Sequence, residues 1–227
     1  MNLARSAAAL AIGAVIAGQA GAALVTSTAG FGPVLVVNFS QFAETCGFPG
    51  CTGPVNVGGL VGETITYSAR SSNVLGGNFV SFLGDNRAWS SVRNGWVSIS
   101  GTGFMQFAFD AGPVSGVGGF VNYAPGTGDA LMEALDQFGN VIEAYDISAL
   151  APISTPIEFN AGAFRGIHRS SADIYGFRYS NAFGVLDDLT FARVNAVPEP
   201  GSLALLALAA AGAALASRRR TPARRSA

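Results

Sequence analysis

Short stretches of alternating apolar and polar residues recur through the middle of the chain. In residues 64–69, Ile65 and Tyr67 alternate with polar side chains, and in residues 104–110 three large apolar side chains fall on one face. A period of two predicts strands with one buried face. The same pattern predicts strands at residues 34–39, 64–69, 78–83, 96–100, 104–110, 117–124, 129–136, 141–147, 157–167, 174–179 and 185–194. About ten short strands without a convincing helix predict an all-β domain over residues 24–196, an antiparallel β-sandwich.

The first residues do not follow this pattern. Arg5 precedes an apolar run at residues 7–17, and the small residues Ala20, Gly21 and Ala22 follow it. A short positive region, an apolar core and small residues together predict a signal peptide over residues 1–23, which signal peptidase cuts near Ala22 or Ala23. A permanent N-terminal anchor is the alternative.

The last residues form a second apolar segment. A run at residues 202–216 contains no charge, and Arg218, Arg219 and Arg220 follow it, with Arg224 and Arg225 behind them. Arginines resist transfer into hydrocarbon, so they predict a transmembrane helix whose C-terminal end stays on the cytoplasmic side. The run is shorter than the roughly 20 residues of a typical span. It therefore predicts a weak or transient anchor, with a buried amphipathic helix as the alternative.

This tail, residues 197–227, resembles a known sorting signal. Pro198, Glu199 and Pro200 come first, the apolar run second and the arginines last. That order is similar to the PEP-CTERM sorting signal of Gram-negative bacteria. The resemblance implies recognition by exosortase, a membrane-embedded cysteine protease that cuts near the motif and releases the protein to the cell surface or extracellular matrix. It implies an address and a processing event, and no activity for the rest of the chain.

Charge is distributed unevenly between the ends and the body. Six of the thirteen arginines lie in the two targeting segments, so residues 24–197 hold seven Arg against thirteen Asp or Glu, a net charge of −6, and the chain has no Lys. An acidic surface argues against nucleic acid as a partner, because phosphates require a basic patch. It suits an exported domain and tolerates divalent cations.

The two cysteines, Cys46 and Cys51, flank the turn-forming residues Phe48, Pro49 and Gly50. In an exported chain this arrangement predicts a local disulfide. A metal site is the first alternative, but it would need further Cys or His nearby. A redox pair is the second, although four residues separate the cysteines instead of the usual two.

The second half, roughly residues 100–194, resembles jelly-roll domains of carbohydrate-binding modules. The stretches that carry the resemblance are DQFGNVIEAYDI at 136–147, FRGIHRSSADIYGFRY at 164–179 and VLDDLTFARV at 185–194. Such domains often hold a structural Ca²⁺, which Asp187 or Asp188 would bind here together with backbone carbonyls. The alternative is a charged pair that caps a turn and accepts hydrogen bonds from neighbouring N–H groups.

Aromatic side chains suggest a second kind of site. Trp89, Tyr175 and Tyr179 could offer faces on which sugar rings stack, with polar neighbours supplying hydrogen bonds. The alternative for each ring is the core, because a sandwich needs large residues inside. Trp89 lies in a polar loop, so packing explains it least.

Nothing in the sequence predicts catalysis. His168 is the only histidine, and no nucleophile elbow accompanies it. Glycosidase chemistry would need two of several carboxylates to face each other, and spacing alone pairs none of them. These carboxylates are Glu133, Glu143, Asp146, Glu158 and Asp173.

We therefore expect a non-enzymatic surface or matrix protein associated with exopolysaccharide or biofilm. A lectin-like domain and a secreted hydrolase are the alternatives.

Overall fold

The computed structural model describes residues 21–43, 45–46, 51–70, 73–90 and 95–193. Over these ranges the chain forms thirteen strands and one four-residue α-helix, α1, at Ile147–Leu150. The strands are β1 Ala23–Val25, β2 Leu35–Val37, β3 Val55–Asn56, β4 Ile65–Arg70, β5 Asn73–Gly77, β6 Trp96–Ile99, β7 Phe104–Phe109, β8 Gly116–Tyr123, β9 Leu131–Leu135, β10 Val141–Asp146, β11 Ala163–His168, β12 Gly176–Ser180 and β13 Gly184–Ala192. Three-residue 3₁₀ turns lie at Ser40–Phe42, Gly59–Val61 and Gly84–Asn86.

The strands form two antiparallel sheets. The seven-stranded sheet has the order β1-β11-β8-β13-β6-β5, with β2 also paired to β13, and the six-stranded sheet has the order β10-β9-β12-β7-β4-β3. Phe109 of one sheet packs on Phe191 of the other, with ring centroids 5.3 Å apart. The predicted all-β, jelly-roll-like sandwich is confirmed.

The period of two places the core between the sheets. In β7, Met105, Phe107 and Phe109 are buried while the residues between them are half-buried, and in β4 Ile65 and Tyr67 are fully buried. Burial raises the pKa of the Tyr67 phenol, so that hydroxyl stays protonated. The apolar faces predicted for these two strands therefore face the opposite sheet.

Two predicted strands are wrong in extent or place. Residues 78–83 form a loop with a single bridge from Val80 to Trp89, while the neighbouring β5 at 73–77 was missed. The predicted strand at 157–167 begins only at Ala163. The first difference has a tertiary cause. Val80, Leu83 and Trp89 cover the outer face of the seven-stranded sheet, where they form a small second core with Trp96 and Val185.

The hairpin predicted at residues 129–147 is confirmed. Asp136 at its turn accepts hydrogen bonds from the backbone of Phe138 and Asn140 and from the Asn140 side chain, which lowers the pKa of Asp136. At the other end of β10, the carboxylate of Asp146 accepts from the backbone N–H groups of Ser148 and Ala149 and so caps α1. Capping explains why one short helix forms here.

The sandwich has two different ends. At the terminal end, Gly116 of β8 pairs with Ala192 of β13 and with His168 of β11, which in turn pairs with Ala23. At the distal end, Tyr123 of β8 pairs with Gly184 of β13. Both ends of the described chain, near Ala23 and Arg193, therefore lie at the terminal end. The nine residues of β13 separate the two ends by roughly 25 Å.

The predicted signal-peptide body and the whole sorting tail lie outside the described residues. These include Pro198, Glu199 and Pro200 and the arginines at 218–220. Within the described part of the chain, no helix is long and apolar enough to cross a membrane.

Candidate functional site

The three aromatic residues predicted to contact a glycan do not come together. Trp89 and Tyr179 are both 0% exposed, so neither presents a face to a ligand. This corrects the prediction for these two rings: Trp89 packs on Phe120 in the second core, and Tyr179 belongs to the core between the sheets. Tyr175 is half-buried at the terminal end, where it borders a cavity of about 260 Å³ with Asp110 and Asp136.

Asp187 and Asp188 form a β-bulge in the middle of β13. The pairing of β13 with β8 shifts between Asp187 and Thr190, and Asp188 has a φ of 51°. Side chains three positions apart in a regular strand point to opposite faces. Because the bulge adds one residue, Leu186 and Leu189 both point into the core. The carboxylate of Asp187 accepts a 2.7 Å hydrogen bond from the Asp188 N–H, as the capping alternative expected. Among described residues, no three His, Cys, Asp or Glu side chains cluster as metal ligands; calcium stays a prediction.

Cys46 and Cys51 form the predicted disulfide, with their Cα atoms 5.6 Å apart. Both side chains pack against the main core. The Tyr67 hydroxyl donates to the Cys51 carbonyl at 3.3 Å, which ties the disulfide loop to β4.

All but one of the residues weighed for catalysis have structural partners; Glu158 is exposed. His168 stacks on Phe31 with ring centroids 5.6 Å apart. Glu143 and Asp173 both pair with Arg169, at 3.1 Å and 2.6 Å. Glu133 lies 3.4 Å from Arg178, and Asp146 caps α1. Hydrogen bonds from Arg169 lower the pKa of Asp173, so that carboxylate stays ionised and paired.

An apolar cleft opens at the distal end. Phe79, Ile157 and Phe159 line it and are 58%, 77% and 64% exposed. The cleft, called here the aromatic cleft, has a volume of about 390 Å³. Its remaining lining residues are Ser81, Gly84, Arg87 and Ala88. This volume falls within the range of small-ligand sites, roughly 300–1,000 Å³.

A buried amide holds the two walls of the aromatic cleft together. The side-chain N–H groups of Asn86 donate to the carbonyls of Tyr123 and Ile153 at 2.9 and 3.0 Å. Its side-chain oxygen accepts from the Thr155 N–H at 2.8 Å. Asn86 is 1% exposed. Because a buried amide makes all these bonds, segment 151–160 is fixed against segment 79–90.

Arg87 and Asn160 continue this connection along the cleft. The Arg87 Nε donates to the Pro156 carbonyl at 2.9 Å, and the Asn160 N–H donates to the Ala88 carbonyl at 3.1 Å. Arg87 and Asn160 have φ angles of 58° and 51°. Non-glycine residues rarely adopt such angles unless surrounding contacts impose them. The walls of the cleft are therefore held in a defined conformation.

Segment 151–160 also borders a second cavity. This pocket, of about 530 Å³, lies between Pro152–Ser154 and the loop at 125–129, and Asp129 and Ser148 supply polar groups. The two cavities thus border different parts of segment 151–160 at the distal end.

The arginines differ in their partners. Arg193 donates to Glu63 at 2.6 Å and to the Gly112 carbonyl. The hydrogen bond from Arg193 to the Glu63 carboxylate lowers the pKa of Glu63. Arg165 is buried and donates to three backbone carbonyls, and its burial lowers the pKa of its guanidinium. Arg87 is exposed, and in the described part of the chain no carboxylate lies within ion-pair distance of it.

Sequence reasoning missed the aromatic cleft. Ile157 and Phe159 were assigned to a strand, and Phe79 to another. A signal was present in residues 152–157, since Pro152 and Pro156 disfavour a continuous strand and predict a loop. The pairing of this loop with Asn86 left no sequence signal.

Comparison with known proteins identifies the tail. Residues 196–220 match the PEP-CTERM protein-sorting motif. The chain is thus an exported protein that carries a signal for exosortase and for passage through the membrane to the cell surface. No curated protein and no solved structure matches the chain.

Proposed function

We propose that this protein is a non-enzymatic component of the cell surface or extracellular matrix of a Gram-negative bacterium, where it associates with exopolysaccharide or biofilm. The observation that carries the proposal is the sorting motif at residues 196–220. A signal of this kind delivers a domain to the outside of the cell, where polysaccharide surrounds it.

The domain boundaries follow from the same proposal. Signal peptidase removes residues 1–23, the sandwich occupies residues 24–196, and the tail at 197–227 directs sorting. β1 begins at Ala23, so a cut after Ala22 leaves the strand intact, whereas removal of residues 1–23 takes its first residue. The described chain leaves the sandwich at Arg193, on the terminal end.

The geometry of the carboxylates supports a non-enzymatic role. Glu133, Glu143 and Asp173 are paired with arginines, and Asp146 caps a helix. Glycoside hydrolysis needs two carboxylates that face a substrate across a cleft. Residues committed to structural ion pairs serve that chemistry poorly.

A lectin-like function is the second candidate. The aromatic cleft favours it, because exposed rings on fixed loops suit the apolar faces of sugars. A secreted hydrolase would differ from the matrix component and from the lectin-like domain because it would cleave the glycan that it binds.

The sorting proposal is tested by changing Pro198 and Glu199 together to Ala in a host that makes exosortase. Cells are fractionated into membrane, surface and medium, and the protein is followed by its size. We expect the unchanged protein to reach the surface or medium in a shortened form, and the variant to stay in the membrane fraction at full tail length.

Glu158→Ala, at an exposed glutamate of the body, is the matched control and should sort normally. Deleting exosortase should reproduce the effect of the double variant. Release of the double variant at the normal rate would refute sorting through this motif.

A further inference from the structure

We propose that the aromatic cleft binds a neutral polysaccharide, with sugar rings stacked on Phe79 and Phe159 and hydroxyl groups bonded to Arg87. The inference rests on the proposed function, since a polysaccharide occupant presumes delivery outside the cell. It adds the site, the residues and the ligand class.

The first argument is that the exposed rings stand on a rigid support. Phe79 and Phe159 are 58% and 64% exposed. The loops that carry them are joined through buried Asn86 and through two residues at positive φ. A single exposed apolar side chain is ordinary and needs no rigid support. Several large apolar side chains exposed together on well-fixed loops are typical of an interaction site.

The second argument is the pattern of hydrogen-bond donors. Arg87 uses its Nε on the Pro156 carbonyl. This bond fixes the plane of the guanidinium and leaves its outer N–H groups available to a ligand. Ser81 adds an exposed hydroxyl to the same lining. Ring faces combined with a few oriented donors match a pyranose, which has apolar C–H faces and a rim of hydroxyl oxygens.

The third argument concerns the charge of the polymer. Residues 24–197 carry a net charge of −6. Asp129, at the rim of the neighbouring pocket, is an acceptor for hydroxyl groups and repels carboxylates. A long anionic polymer would meet this repulsion along its length, whereas a neutral polymer would not.

Other occupants fit the cleft less well. With each large side chain offering roughly 150–250 Å² when fully exposed, the three apolar residues present about 400 Å². A stable dimer buries about 800 Å² on each partner, so a second copy of the chain is disfavoured. The cleft also lies at the opposite end of the sandwich from Arg193.

The test is affinity electrophoresis of the full chain, purified in neutral detergent, through gels that contain soluble β-glucan, xylan, dextran or polygalacturonate. We expect at least one of the three neutral polymers to retard the protein. The Phe79→Ala/Phe159→Ala double variant should lose at least tenfold in affinity for that polymer, and Arg87→Ala roughly threefold to tenfold.

Phe138→Ala is the matched control, because Phe138 is 78% exposed but lies at the hairpin tip of the terminal end. It should bind as the unchanged protein does. Melting temperatures should agree among the unchanged protein, Phe138→Ala and the Phe79→Ala/Phe159→Ala double variant, since the substituted rings are exposed.

Several results would overturn the inference. These are binding to none of the polymers, binding to polygalacturonate alone, equal loss in Phe138→Ala, or a dimer that the double variant dissociates. A protein that reaches the surface normally but binds no polymer overturns this inference alone. Failure of the sorting experiment described above overturns the proposed function instead.

Discussion

At the terminal end of the sandwich, arginines are paired with carboxylates; at the distal end, neutral amides hold the loops, and no carboxylate of the described residues lies within ion-pair distance of Arg87. Arg193 with Glu63 and Arg169 with Asp173 are ion pairs on the surface. Asn86 at the distal end is buried and bonds to three backbone groups, one in β8 and two in segment 151–160.

The difference shows where rigidity comes from in each region. These ion pairs are half-buried, so water and salt still screen them and limit their contribution to stability. A buried amide is costly to disturb, since each partner left behind loses its hydrogen bond in a place water does not reach. The end with exposed apolar residues therefore has the stronger internal support.

The largest expected effect follows from Asn86→Ala. This change leaves the Ile153 and Tyr123 carbonyls and the Thr155 N–H without their buried partner. We expect a loss of about 3 kcal/mol in the free energy of unfolding and roughly 6–12 °C in melting temperature. Urea and thermal denaturation measure both, and hydrogen exchange should rise in segment 151–160.

Asn38→Ala is the control, because Asn38 is exposed and accepts a single hydrogen bond from the Ser40 N–H. It should change stability by less than about 0.5 kcal/mol. Equal effects of the two substitutions would contradict the buried amide as the source of rigidity.

An intermediate effect is expected from Gly162→Ala. A Cβ at this position would lie 2.2 Å from the Val121 carbonyl oxygen and 2.8 Å from the Trp89 ring. The backbone carrying segment 151–160 must therefore shift, which costs about 2 kcal/mol. Binding to the polysaccharide identified by electrophoresis should weaken as well.

Gly59→Ala provides the comparison, because a Cβ there meets nothing within 4 Å and the φ angle is ordinary. It should be neutral or slightly stabilising. Should Gly162→Ala melt at the same temperature as Gly59→Ala, the close contact with Trp89 would not constrain the cleft.

The smallest effect is expected at the terminal end, from Glu63→Gln. The hydrogen bond from Arg193 lowers the pKa of Glu63 below its ordinary 4.5. The pair therefore stabilises the fold above the unfolded-state pKa, and its contribution is lost as the pH falls through the lower folded-state pKa. At pH 7 the substitution should cost no more than about 1 kcal/mol.

Denaturation curves recorded from pH 7 to pH 3 check this sign. The stability difference between Glu63→Gln and the unchanged protein should shrink toward low pH, while Glu158→Gln at an exposed distal glutamate should show no such trend. A difference that grows on acidification would rule out the pair as its cause.

The binary pattern predicted much of the sandwich. β4, β7 and the hairpin of β9 and β10 were found because Ile65, Tyr67 and Phe107 alternate with polar residues and because Asp136 to Asn140 is turn chemistry. The strand predicted by the same pattern at residues 78–83 is a loop in the structure. Val80 and Leu83 are apolar because a loop covers the outer face of a sheet, and a periodic pattern does not distinguish this from a strand.

The candidate site shows the same limit more sharply. Trp89 and Tyr179 were proposed for a surface platform, but both are fully buried. Phe79 and Phe159 were assigned to strands, but both are exposed in the aromatic cleft. Composition gives the number of aromatic rings, while which of them face water depends on contacts between residues distant in sequence.

The amino-acid sequence by itself determined the sorting signal and the fold class of this protein. Both depend on local features: the ordered motif, apolar run and arginines of the tail, and the period of two in the strands. Only the tertiary structure decided where a ligand could bind. The aromatic cleft exists because Asn86 reaches Ile153 across 67 positions of sequence, and contacts of such separation leave no periodic trace in the chain.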